Sequence, residues 1–121
     1  MRFMQLFGFS IRGDKQVEFQ RWLTDNEARI KASYPQGSEY GGCYAAVYSS
    51  EKEAGEYFWV DILDSYAALD AAAADGKDPS SASAALNAEF VRFLDPDRSA
   101  PWSRFLLKSV ADATILDMPT E

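Results

Sequence analysis

Asp61 is the residue with the clearest capacity for chemistry. In the run Tyr57-Phe58-Trp59-Val60-Asp61-Ile62-Leu63, strand alternation places its carboxyl on the same face as the Trp59 indole. A carboxyl set among aromatic groups loses hydration, and its pKa climbs toward neutrality. It can then act as general base on a phenol or an acidic C–H. The competing reading is a strand-end carboxylate, solvated or paired with Arg104 or Lys108. Gln5, Phe7, Tyr44 and Trp59 are the candidate ligand contacts, Gln5 and Tyr44 through hydrogen bonds and Trp59 through stacking. Packing in the core or at a dimer interface is the alternative account of these residues.

Other chemistries lack their parts. The chain contains no histidine, which removes Ser-His-Asp and Cys-His nucleophiles, imidazole-ligated zinc and a proximal-histidine haem. Cys43 is the single cysteine; with no imidazole to activate it and no second thiol to bridge, it reads as an inert packed thiol. The pairs Asp95/Asp97 and Asp61/Asp64 fall short of a ligand set for a hard cation, so no metal is expected. Gly37, Gly41 and Gly42 precede a strand rather than a helix and make no dinucleotide fingerprint. No cofactor is expected on these grounds. Asn26, inside the apolar stripe of a helix, reads as a local backbone-bonding residue. With 19 acidic against 12 basic residues and a formal charge of -7, nucleic acid and anionic membrane are unfavourable partners. Gln5 interrupts the apolar N-terminal run and no small-residue cleavage site follows it. That run reads as a strand, and a cytoplasmic protein is the expectation.

The elements that must position these residues follow from periodicity. Phe3 to Phe9 alternates two apolar sets, as in a central strand. Asp14 is a candidate N-cap for a helix over residues 14–33, with Phe19, Trp22, Leu23, Asn26 and Ile30 on one stripe and Pro35 forcing its end. Residues 40–49 form a second strand with Tyr40, Tyr44 and Tyr48 on one face, 49–55 a hairpin-type connection, and 57–63 a third strand. Asp64 or Ser65 caps an alanine-rich helix that ends at Asp75-Gly76. Asp78-Pro79 reads as the cap of a further helix bearing Leu86, Phe90, Phe93 and Leu94, and residues 104–110 form the last strand. The order gives an α+β, ferredoxin-like βαββαβ fold with an extra helix before the last strand: an antiparallel sheet with helices on one face. Residues 1–116 make one domain and 117–121 a tail.

The strands carry large apolar residues on both faces, whereas the helices cover one. With Phe58, Val60 and Ile62 placed under the helices, the other face collects Tyr57, Trp59, Asp61, Phe3, Gln5, Phe7 and Phe9. An aromatic patch of that size exceeds what monomers leave in water, which predicts a homodimer with two sheets facing each other.

Length, element order and the segment Glu56 to Leu63 followed by Asp64-Ser65-Tyr66-Ala67-Ala68-Leu69 resemble the dimeric α/β-barrel superfamily, in particular its antibiotic-biosynthesis-monooxygenase type. The resemblance implies a barrel built by two ferredoxin-like subunits. It also implies a cavity for a small hydrophobic or aromatic ligand, lying between the uncovered sheet face and the helices or partner sheet. The activity it implies is cofactor-independent oxygenation or isomerisation of an aromatic or polyketide-like substrate. A non-catalytic dimeric module, in which the aromatics serve packing alone, is the alternative. A cavity lined by Asp61 favours the first reading, and complete filling by side chains favours the second.

Overall fold

The computed structural model describes residues 2–48, 56–95 and 102–110. Four strands, β1 (Phe3–Phe9), β2 (Ser38–Ala45), β3 (Tyr57–Leu63) and β4 (Trp102–Lys108), form one antiparallel sheet in the order β2-β3-β1-β4. Three helices accompany it: α1 (Gln16–Ala32), α2 (Tyr66–Lys77) and α3 (Ala82–Phe90). The expected α+β, ferredoxin-like arrangement is present, with β1 and β3 central, β2 and β4 at the edges and the extra helix before β4. The 49–55 connection and the 117–121 tail lie outside the described residues.

Local chemistry sets the helix boundaries. The α1 stripe buries Phe19, Trp22 and Ile30. The helix closes ahead of Pro35, where the Ser33 N–H returns to the Arg29 and Ile30 carbonyls, each at 3.1 Å. Its start differs from expectation: Asp14 sits within a 3-10 turn over Gly13–Lys15 and pairs with Arg12 instead of capping α1. Ser65 caps α2 through the Ala68 N–H. Ser81, not Asp78, caps α3, accepting from the Ala84 N–H at 3.0 Å. Asp78 instead accepts from both the N–H and the hydroxyl of Ser80, a local turn that competes with capping.

The two sheet faces are exchanged relative to expectation. In the β1–β3 ladder, Gln5 is opposite Asp61, Phe7 opposite Trp59 and Phe9 opposite Tyr57. This set faces the helices: Phe9, Tyr57, Phe19, Trp22, Phe90 and Phe93 share one buried cluster. Its rings meet edge to face, Phe9 to Phe90 at 4.9 Å and Phe19 to Tyr57 at 5.4 Å. Phe58, Val60 and Ile62, with Met4 and Leu6, therefore occupy the face away from this cluster. The bulkier aromatic set packs against α1 and α3, while the β-branched pair Val60 and Ile62 is buried on the opposite side. Across the helical layer, Glu89 on α3 accepts from the Trp22 indole at 3.0 Å and pairs with Arg29, tying α3 to α1.

Candidate functional site

Between the sheet and the helices the side chains leave a cavity of about 400 Å³. Its floor is Phe7, Phe9, Trp59 and Asp61 from the central strands, and its walls are Trp22, Ile30, Leu86 and Phe90 from the helices. Polar groups enter it at few points: Asp61, Tyr34, Ser33, Ser83, Asp75 and Asn87. A mostly apolar concavity of this size with a few convergent polar groups is the usual form of a small-ligand site.

Asp61 sits in an ordered polar triad. The Tyr34 hydroxyl donates to Asp61 Oδ1 and accepts from the Trp59 indole N–H at 2.7 Å. Burial is the dominant influence on the carboxyl and pushes its pKa up to about 6, while the hydrogen bonds from Tyr34 and Trp59 oppose that rise. Burial, followed by the adjacent Asp61 charge, raises the Tyr34 pKa, so its phenol stays protonated and acts as the donor. Tyr40, which stands opposite Asp61 on β2, packs on Trp59 at 5.4 Å and donates to Glu27 at 3.1 Å. The floor thus presents a predominantly ionised carboxylate with a pKa near neutrality, held in one orientation by a phenol and an indole. A neutral ligand with an acidic O–H or C–H can lose its proton to such a group.

The candidates named from sequence divide cleanly. Asp61, Phe7 and Trp59 line the cavity together. Gln5 is the direct cross-strand neighbour of Asp61 on the same face but lies outside the lining. Tyr44 also lies outside the lining. A register shift between Tyr40 and Gly42 inserts Gly41 as a bulge, so Tyr40 pairs with Asp61 while Tyr44 pairs with Phe58 on the other face. Tyr44 is 54% exposed and its hydroxyl donates to the Gly41 carbonyl. Gly41 suits the bulge because a Cβ there would stand 2.8 Å from Val60 Cγ1. The cavity itself lies within one chain under the helices, not against the opposite sheet face.

Cys43 packs against the main aromatic cluster, and burial pushes its thiol up to about 12, which leaves it un-ionised. Asn26 donates to the Trp22 carbonyl at 2.7 Å, a local bond. Among the described residues no group of three or more His, Cys, Asp or Glu side chains could hold a metal; Asp97 lies outside them. No described helix is long and apolar enough to cross a membrane.

Tyr34 is the residue that sequence reasoning missed. It figured only as the end of α1 before Pro35, yet that restriction is the available signal. A residue barred from helical geometry by a following proline leaves the helix axis, here at the junction that delivers the phenol to the sheet. The turn is completed by Gly37 at φ 92, where a Cβ would also touch Ala68.

No family model matches the sequence, and no curated protein matches it. Solved structures do match in fold. A NIPSNAP domain protein from Burkholderia xenovorans is 18% identical, with 93% of this chain and 98% of that one covered, at a TM-score of 0.65. A putative antibiotic biosynthesis monooxygenase from Caulobacter crescentus is 22% identical over 91% of each chain, at 0.57. The heme degrader MhuD from Mycobacterium tuberculosis, solved with two hemes in its active site, is 15% identical over 93% and 99%, at 0.53. The chain therefore has the ferredoxin-like fold shared by NIPSNAP and antibiotic-biosynthesis-monooxygenase-type proteins.

Proposed function

We propose that this protein binds a small, largely apolar aromatic molecule in the cavity between sheet and helices, and that Asp61 removes a proton from it. The observation that carries the reading is the Asp61–Tyr34–Trp59 triad on the floor of a 400 Å³ cavity with apolar walls. A packing module has no use for that volume, nor for a carboxyl whose burial raises its pKa. The fold is shared with a putative monooxygenase and with a protein that holds heme. The residues favour chemistry without heme, because the chain contains no histidine to ligate a heme iron.

The concrete version is oxygenation of an enolisable arene. Asp61 takes the acidic C–H proton, and the apolar walls favour a carbanion delocalised over the rings. One-electron transfer to dioxygen and recombination form a C–O bond as a peroxide anion, which takes back the proton held by Asp61 to become a hydroperoxide and then loses water to leave a carbonyl. The overall balance is R2CH2 + O2 → R2C=O + H2O, with dioxygen as the sole oxidant. Tyr34, protonated throughout, keeps Asp61 oriented and returns no net proton. Isomerisation by the same base, with the proton replaced at another carbon, is the variant that consumes no oxygen. The test is oxygen uptake with anthrone as probe, in the parent protein and in Asp61→Asn. Uptake that depends on Asp61 supports the reading, and equal rates in both proteins remove Asp61 from the chemistry.

We further propose that a second copy of the chain packs against the β4 edge of the sheet face that points away from the helices. Phe105 and Leu107 on that face are 51% and 47% exposed, and burying such side chains contributes about 25 cal/mol per Å². Light scattering at micromolar concentration is expected to give a dimer, and Leu107→Lys a monomer. A parent protein that is monomeric under those conditions removes the proposal.

A further inference from the structure

The cavity has a sign of charge as well as a shape. Asp61 enters it from β3 and Asp75 from the last turn of α2. None of the described residues lining it is a lysine or an arginine. The ends of two helices also border it, at Ile30 and Ser33 for α1 and at Asp75 and Gly76 for α2. Each helix C-terminus carries the equivalent of about half a negative elementary charge. Two of these carbonyls accept from serine hydroxyls, Ser33 from Ser83 at 3.1 Å and Asp75 from Ser81 at 2.9 Å, which satisfies them without adding positive charge. The N-terminus of α3 at Ser83 opposes this sign, as do Lys31 and Lys77 in the last turns of α1 and α2, though neither lysine lines the cavity. Arg29 lies outside the lining and is held by Glu89. The walls are aromatic, with Trp59 and Phe90 meeting at 5.4 Å, and aromatic faces attract cations.

We propose that the ligand of this cavity is a small arylalkyl ammonium, its ring against Trp59 and Phe90 and its charge balanced by Asp75. The proposal rests on the binding reading above and adds the charge and class of the ligand. With the ammonium held toward Asp75, Asp61 stays open to the reacting O–H or C–H. The same field disfavours ligands bearing carboxylate or phosphate, since an anion entering a partly desolvated site beside two carboxylates loses hydration and gains no counter-charge.

Three probes of nearly equal shape test this by calorimetric titration at pH 7.5: 2-naphthylmethylammonium, 2-naphthalenemethanol and 2-naphthoate. The ammonium is expected to bind about tenfold more tightly than the alcohol, and the naphthoate not measurably up to millimolar concentration. In Asp75→Asn the ammonium is expected to weaken about fivefold while the alcohol stays within about twofold of its original affinity. If the naphthoate binds as well as the alcohol, or the ammonium no better than the alcohol, the charge assignment is overturned and the binding site stands. If none of the three binds, the binding reading fails and this proposal fails with it.

Discussion

The two faces of the sheet are built from alternate residues of the same strands, yet they differ in kind. On β3, Val60 and Ile62 point away from the helices to a face that is apolar along both central strands; there they are buried, while Phe105 and Leu107 at its β4 edge are half-exposed. Tyr57, Trp59 and Asp61 point to the helices, and there a carboxyl is set among aromatic rings and bonded to a phenol. An apolar face needs only cover, which any complementary apolar surface supplies. A carboxyl under the helices carries a desolvation cost that packing alone gives no reason to accept. On the proposals made above, association belongs to one face and chemistry to the other.

The sharpest way to break that assignment is Asp61→Asn. Loss of a positioned general base is expected to lower turnover of an enolisable arene by about 10² to 10⁴-fold, whereas Leu107→Lys on the opposite face leaves the triad intact. The next effect is on stability. Burial raises the folded pKa of Asp61 from 3.8 to about 6, so folding takes up a proton between those values. Stability from this group is greatest below about pH 4, falls as pH rises through the window from 4 to 6, and levels off above it. The fall amounts to about 3 kcal/mol. Denaturant titrations across that window are expected to show the decline in the parent protein and its absence in Asp61→Asn. A parallel decline in both proteins assigns it to other groups.

Smaller effects sharpen the contrast. Tyr34→Phe removes a hydrogen bond that favours the ionised carboxylate, and the acid limb of the pH–rate profile is expected to move upward by up to about one pH unit. An unmoved limb separates Tyr34 from the titration of Asp61. The smallest change is Tyr44→Phe, which loses only an exposed bond to the Gly41 carbonyl. It is expected to shift stability by less than about 0.5 kcal/mol and leave turnover unaltered. A large loss of activity there returns Tyr44 to the site.

The sequence carried the order of elements and the central position of β1 and β3, because Pro35, the Ser65 cap and the strand alternation are local signals. It also carried Asp61 and Trp59 as partners on one face, since two residues of strand spacing suffice. Which face meets the helices was not legible: both alternating sets of β3 are apolar enough to be buried, and the choice depends on how Phe19, Trp22 and Phe90 fill the gap. The fate of Tyr44 was hidden by a one-residue bulge at Gly41 that reverses parity along β2. Tyr34 reaches Asp61 across 27 positions of chain, a distance at which periodicity carries no information.

Titration of the Asp61 carboxyl by carbon-13 NMR in the folded protein is the most direct measurement. The account requires a midpoint near 6, displaced when 2-naphthalenemethanol fills the cavity. A midpoint near 3.8, indifferent to the probe, would show an ordinary solvated carboxylate and contradict the assignment of chemistry to the face beneath the helices.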